Sequence, residues 1–361
     1  MRYKFSDLYY DDTKNAKKLK SSEYKNVGKY IIVDQGKSLI AGYTDNEDGL
    51  YTDVPAIIFG DHTRNIKYID SPFFLGADGT KVLKSPLKSV NYKYLYYLLK
   101  NASIPDTGYN RHFKWVKELM FKYHSQEQQN QIVTILDKLD STIIKYREEL
   151  SLLDELVRAR FVEMFGGVND SIVYSYKKLN EITDIISGGT PKRDKPEYWE
   201  NGIIPWVKTT ELKNNKITYV EEYITQKGLS ESSAKLVPQG TVLVAMYGQG
   251  KTRGMTAYLN VEASTNQACA CILPSEEVNS IFLWKYLEFS YVKLRSLAKG
   301  AGQPNLNVNM IKEFSILVPP LNLQEEYASF VQEIDKSRSR IQKSLEASQE
   351  LFDSLMQEYF G

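Results

Sequence analysis

The chain is short of the residues on which most catalytic and covalent chemistry depends. Its 361 residues hold three histidines, His62, His112 and His124, and two cysteines, Cys269 and Cys271. The cysteines stand in "QACACIL", where alternate residues of a strand point the same way. No other Cys or nearby His completes a ligand set, so both read as small buried hydrophobes rather than a disulfide or a metal site. No serine lies in a nucleophile-elbow context, no metal-spaced carboxylate set stands out, and there is neither a Gly-rich cofactor loop nor the Asn/Asp-Pro-Pro-Tyr of an amino-methyltransferase. A non-catalytic chain without its own cofactor or metal is expected. The net charge is only +1, with a pI near 7.6, so any nucleic-acid surface must be a local patch. With no apolar run near 18 residues and no charged-plus-apolar leader, no membrane partner is expected and the location reads as cytoplasmic.

What is present is repetition. "EMFG" at Glu163–Gly166 returns as "EYFG" at Glu358–Gly361, 195 positions later. At that offset Asn110 falls on Asn305, Lys117 on Lys312, Gln129 on Gln324, Asp140 on Asp335 and Leu150 on Leu345. Upstream the best offset is 188, with Phe59-Gly60 on Tyr247-Gly248, Asn91 on Asn279 and Leu95 on Leu283. A tandem duplication follows, and it sets the domain count.

Each copy ends in a long helical stretch. From Ser125, which with Gln128 makes a capping box, apolar residues recur every three or four positions: Ile132, Ile135, Leu139, Ile143, Tyr146, Leu150, Leu153, Val157, Phe161 and Met164, before Gly166-Gly167 stops the helix. The second stretch follows Pro319-Pro320, with Asn322 as its expected cap. It carries Tyr327, Phe330, Ile334, Ile341, Leu345, Phe352, Leu355 and Tyr359, interrupted at Arg338 and Ser348. Each would be about 55 Å long at ~1.5 Å per residue. A stripe so narrow and long wants a partner helix, and an antiparallel pairing of the two copies is favoured over each helix packing only on its own domain. Phe165 and Phe360 read as packing anchors at the helix ends.

The segments before each helix are β-branched and aromatic runs broken by Gly, Pro, Asn and Asp, followed by one shorter helical stretch. The fold class is α+β: two mixed β-rich domains separated by two long helices, pseudo-twofold, with boundaries at 1–122, 123–166, 167–320 and 321–361. The loops carry the candidate chemistry. "SGGTPKRDKPEYW" holds Lys192, Arg193 and Lys195, with Lys208 just beyond; "YGQGKTRG" holds Gln249, Lys251 and Arg253; "AKGAGQPNLNVN" holds Lys299, Gln303, Asn305 and Asn307. In the first copy "GDHTRNIK" offers His62, Arg64 and Lys67, and "TGYNRHFKW" offers Arg111, His112 and Lys114. Arg and Lys can hold phosphates or read guanine, Asn and Gln can pair with adenine, and Gly lets a backbone approach; the plainer alternative is that these are solvated turns. Ala245–Thr252 nearly spells a phosphate-binding loop, but a strand-like run follows where that motif needs a helix N-terminus.

The phrases "ISGGTPKRDKPEYWENGIIPWVKTTEL", "ASTNQACACIL" and "GQPNLNVNMIKEFSILVPPLNLQEEYASFVQEID", together with "SQEQQNQIVTILDKLD", resemble the specificity subunits of type I restriction-modification systems. The likeness spans the chain and is strongest from Tyr176 onward; "DDTKNAKKLKSSEYKNVGKY" replaces the Gly-Gly-Thr-Pro-type loop in the first half. The resemblance implies two target-recognition domains, each reading half of a split double-stranded DNA target. It also implies helices that set the spacing and dock two methyltransferase subunits, to which restriction/translocase subunits attach, with S-adenosylmethionine, ATP and Mg on those partners. The alternative is a coiled-coil scaffold that binds proteins without reading DNA.

Overall fold

A computed structural model describes residues 2–108, 110–168, 174–248, 250–298 and 304–361. The chain divides into two compact units, Met1–Glu148 with Gln342–Gly361, and Glu149–Ile341.

Two helices of 40 residues each, Gln126–Phe165 and Leu321–Phe360, are the longest elements. The first starts at the expected box: the Gln128 amide N–H donates to Ser125 Oγ at 3.4 Å and the Ser125 N–H to Gln128 Oε1 at 3.2 Å. The second starts differently from the expectation. Asn322 lies inside the first turn, and the Pro320 carbonyl accepts the N–H groups of Leu323 and Gln324, because a prolyl φ near −65° already suits a helix start. Within the second unit the helices run antiparallel, as Arg160 pairs with Glu326 at 2.8 Å and Asp154 with Arg338 at 2.6 Å. Within the first, Arg147 donates to Gln349 at 3.2 Å. Ile132, Ile143, Val157, Phe161 and Phe352 are buried, and Leu139, Leu150, Leu153, Phe330, Ile334, Ile341, Leu345 and Leu355 are half-buried. Ile135 is the misfit in the expected stripe: it is 41 % exposed while Val133 and Leu136 are buried, because a 3.6-residue period drifts off a strict heptad.

The rest of each unit is one design used twice. In the first unit a sheet runs Tyr10–Asp11, Thr80–Lys84, Ala56–Gly60, Ile66–Ile69, and a second runs Gly42–Thr44, Tyr30–Val33, Phe73–Leu75. In the second unit Ile185–Ser187, Cys269–Ile272, Val242–Ala245 and Thr256–Leu259 repeat the first order and add Asn215–Ile217 at the edge. The second sheet there runs Glu222–Ile224, Ile204–Val207, Ala263–Thr265, Leu236–Val237. Tyr30–Val33 with Phe73–Leu75, and Ile204–Val207 with Ala263–Thr265, are both parallel pairs. Each head is closed where the chain enters and leaves it: Arg2–Lys4 pairs with Met120–Lys122, and Tyr176–Lys178 with Ser315–Leu317. Asn91 and Asn279 both cap the helix that follows, Tyr92–Lys100 and Ser280–Phe289.

Strand register corrects one alignment. Gly60 faces Thr80 as Ala245 faces Cys269, so Phe59-Gly60 matches Val244-Ala245 rather than Tyr247-Gly248. The second hairpin is longer at its tip, which sequence sliding absorbed as a shift. Cys269 and Cys271 are buried in the second head's core, and burial pushes the Cys271 thiol up to about 11. Among the described residues no helix is long and apolar enough to cross a membrane.

Candidate nucleic-acid interface

In both heads the loops singled out above converge on one backbone knot. In the first head the Asp61 N–H donates to Gly79 O at 2.7 Å and Asp61 O accepts the His112 N–H at 2.8 Å. In the second, the Met246 N–H donates to Ala268 O at 2.8 Å and Met246 O accepts the Leu306 N–H at 3.0 Å. Each knot ties the end of a central strand to the turn before the next strand and to the segment leading out of the head.

Around the second knot, the loop after Ile185–Ser187 passes so close to Thr265 and Ser233 that a Cβ on Gly188 would stand 2.1 Å from Thr265 Oγ1, and one on Gly189 2.3 Å from the Ser233 carbonyl carbon. Only glycine fits there. Gly189 O accepts from Trp206 Nε1 at 3.0 Å. Arg193 then lies on an aromatic shelf, its guanidinium 3.7 Å from the Trp199 ring centroid and 4.8 Å from that of Trp206, while Nη1 donates to Glu222 at 2.5 Å. Lys208 holds Glu221 and Glu222 at 2.7 and 2.9 Å. Burial alone would raise the Glu222 carboxyl, but hydrogen bonds from Arg193 and Lys208 hold it below its ordinary value. Lys195 donates to the Tyr198 hydroxyl at 3.0 Å, and Lys192 is exposed.

The hairpin between Val242–Ala245 and Thr256–Leu259 is not a phosphate loop, since the chain returns directly as the antiparallel strand. Gly250, at φ 60°, has open space where a Cβ would be. Tyr247 is 42 % exposed, and Lys251 is exposed without an ion pair among the described residues. Arg253 is turned inward: Nη1 donates to Pro304 O, while its own carbonyl accepts from Arg295 Nη1 at 2.9 Å. Asn307 spends its side chain capping Val308–Lys312 through the Met310 N–H at 2.9 Å, and Asn305 is half-buried. Gln249, Lys299 and Gln303 lie outside the described residues.

The first head turns Lys67, His112 and Arg64 inward. Lys67 is buried, with Nζ donating to Asp34 O at 2.7 Å and Ser38 O at 2.6 Å, and burial lowers its pKa. His112 is 1 % exposed, with Nδ1 3.0 Å from Asp61 O. Arg64, at φ 60°, donates to Ile104 O and pairs with Asp106 at 2.6 Å. Lys67 and His112 therefore stabilise loops and are out of reach of a phosphate. The His62 ring meets Asn110 O at 3.2 Å, Arg111 is exposed, and Lys114 lies exposed over the Trp115 ring at 4.8 Å.

The sequence alone shows neither that Trp199 and Trp206 seat Arg193 nor that the Gln129/Gln324 echo has a structural job. Both glutamines are buried and do one job: Gln129 Nε2 donates to His124 O at 2.9 Å and Gln324 Nε2 to Pro319 O at 2.8 Å. A glutamine five residues after a chain reversal, repeated at a fixed offset, was the available signal.

The family profile described as the type I restriction modification DNA specificity domain matches residues 6–152 and 173–349. The chain belongs to this family. Among curated proteins it is 25 % identical over 322 residues to the type I restriction enzyme EcoR124I/EcoR124II specificity subunit of Escherichia coli, covering 85 % of this chain and 79 % of that one. It is 23 % identical over 299 residues to the MjaIX specificity subunit of Methanocaldococcus jannaschii, covering 75 % and 68 %. Among solved structures, the type I restriction-modification S subunit from M. genitalium matches with a TM-score of 0.68 at 17 % identity, over 100 % of this chain and 96 % of that one. A chain from a structure of complex assembly and conformational transition in the type I system matches with a TM-score of 0.53 at 15 % identity, over 99 % and 97 %. The fold of this specificity subunit is thus shared with structures of very different sequence.

Proposed function

We propose that this specificity subunit is the non-catalytic DNA reader of a cytoplasmic type I complex, each head reading one half of a split duplex target. The observation that carries the reading is the repeated knot, from which one backbone scaffold presents two different sets of loops within a chain of this family. Lys192, Lys251 and the shelved Arg193 in the second head, and Arg111 and Lys114 in the first, are the cations we assign to DNA. Exposed cations of this kind hold phosphates, and a guanidinium packed against indole keeps an edge for a base. S-adenosylmethionine, ATP and Mg belong in this reading to two methyltransferase subunits and the restriction subunits. Leu152 and Leu156, one turn apart on the central helix and 60 % and 46 % exposed, are apolar surface suited to such a partner.

Sequencing the methylated positions in a host with and without this gene tests the reading. A bipartite motif that disappears with the gene is expected; an unchanged methylome would reject it and favour a scaffold. In the assembled complex Lys251→Ala should weaken binding to a target duplex and lower the slope of log affinity against log salt by about 1.

A further inference from the structure

Each head is joined to the long helix that follows it by an aromatic core, and in each a second, polar contact lies on the same seam. In the first head that contact is Lys93, at the start of helix Tyr92–Lys100. Its ammonium lies 2.6 Å from Asp137 on the central helix and 5.6 Å from the centroid of the Tyr68 ring. The Tyr97 hydroxyl donates to the same carboxylate at 2.8 Å.

Carried across the duplication, Lys93 becomes Ile281, because Asn91 and Asn279 are equivalent caps. Asp137 becomes Gln332, because Gln129 and Gln324 are equivalent. The second head therefore has neither member of the pair. Ile281 and Gln332 instead line a cavity of about 470 Å³ in the seam.

An ammonium nevertheless occupies the corresponding place. Tyr258 is the equivalent of Tyr68, since Ile57 pairs with Tyr68 as Val242 pairs with Tyr258. Lys216 lies 5.9 Å from the Tyr258 centroid and 2.6 Å from Asp335, one turn beyond Gln332 on the C-terminal helix. Lys216 comes from Asn215–Ile217, the edge strand that the first head's sheet lacks. Asp335 also meets Arg338 at 3.9 Å, which pairs with Asp154 of the central helix at 2.6 Å. Both Lys216 and Asp335 are largely withdrawn from solvent, with side chains 28 % and 24 % exposed. Asp335 Oδ2 is buried and, beyond the Lys216 ammonium at 2.6 Å, has no hydrogen-bond partner among the described residues, so losing Lys216 strands a carboxylate oxygen.

We propose that Lys216–Asp335 is a positioning clamp that fixes the second head on its helices, in the place that Lys93–Asp137 holds in the first; it rests on the two-reader function above. The aromatic core around Phe161, Phe282 and Tyr327 is the pivot. The clamp lies two helical turns along from Tyr327, about 12 Å at ~1.5 Å per residue, and stops rotation about that pivot. Neither Lys216 nor Asp335 need touch DNA.

The test uses the complete complex with Lys216→Met, Lys216→Arg, and a triple variant, Lys216→Met with Ile281→Lys and Gln332→Asp, which rebuilds the first head's pair in the second. Methylated sites are sequenced genome-wide and sorted by the number of base pairs between half-sites. Lys216→Met should keep both half-site sequences but raise methylation at sites one base pair longer or shorter by roughly tenfold, the factor that corresponds to about 1.4 kcal/mol. Lys216→Arg and the triple variant should return the wild-type spacing. A single unchanged spacing in Lys216→Met overturns the clamp, and so does a triple variant that recovers the melting temperature but not the spacing. If Lys216→Met does not assemble, the triple variant decides alone. A wild-type motif that is not bipartite would instead reject the reading on which the clamp rests.

Discussion

The two heads repeat a backbone and not a surface. Asp61 and Met246 hold the same place in the same knot, yet one is a buried acid and the other an apolar thioether. The knot tolerates this because its bonds run between main-chain N–H and C=O groups, which every non-proline residue carries. Side chains around it are then free to diverge. The first head turns Lys67, Arg64 and His112 inward and leaves Arg111 and Lys114 exposed, whereas the second turns Arg253 inward, seats Arg193 against two tryptophans and leaves Lys192 and Lys251 exposed. Duplication of this kind fixes where the loops emerge without fixing the side chains they present.

The comparison breaks most readily at the helix ends. Phe165 is 2 % exposed and packs against Phe161, Tyr174, Phe282 and Tyr327. Phe360, at the matching end of the other long helix, is half-buried and meets Tyr94, His124 and Tyr359. Phe165→Ala should cost about 4 kcal/mol, near the upper range for emptying a buried aromatic site. Phe360→Ala should cost about 1.5 kcal/mol, since its space is partly open to water. Denaturant unfolding of the two variants measures both, and equal losses would mean that the two ends are packed alike.

A smaller difference separates the paired glutamines. Gln324 uses both ends of its amide, with Oε1 accepting the Asn279 N–H at 2.9 Å as well as Nε2 binding Pro319 O. Gln129 makes the second kind of bond, but its Oε1 is buried without a hydrogen-bond partner among the described residues. Gln324→Leu strands a donor and an acceptor and should cost roughly 3 kcal/mol; Gln129→Leu strands one acceptor, removes an unpaired one, and should cost about 1 kcal/mol or less. Thermal melts of the two variants decide it, and a larger loss at Gln129 would show that the halves are fastened differently here.

The features legible from sequence were those with a period or a repeat. The 3.6-residue stripe marked both long helices, alternation buried Cys269 and Cys271, and fixed offsets exposed the duplication. What stayed hidden depends on contacts between distant segments. Nothing local says that Lys67 is enclosed by Asp34 and Ser38, about thirty residues away, or that Arg253 reaches Pro304. Both are basic residues in polar stretches, and such stretches look the same whether a lysine faces water or a carbonyl. Asn322 was misplaced because proline can open a helix without a side-chain cap.

Acid should separate the halves last and least. His124 precedes the central helix, with Nδ1 2.8 Å from the Tyr94 hydroxyl, and burial with nearby Lys122 lowers its pKa. The matching position in the second half is Pro319, which cannot titrate. An imidazole whose folded pKa lies below its unfolded value of about 6.5 contributes stability that is complete above that value. That contribution is lost as pH falls through the folded value, because the unfolded chain takes the proton first. The second half carries the opposite device: burial raises the Glu288 carboxyl despite the pull of Lys285, so protonation there favours the fold. Amide-exchange protection, corrected for intrinsic rates, should therefore fall in Tyr92–Lys100 and the start of the central helix between about pH 7 and pH 5.5. Protection in Ser280–Phe289 should hold or rise over the same window, and His124→Asn should remove the fall in the first half. Equal changes in both halves would mean that neither His124 nor Glu288 governs the acid response.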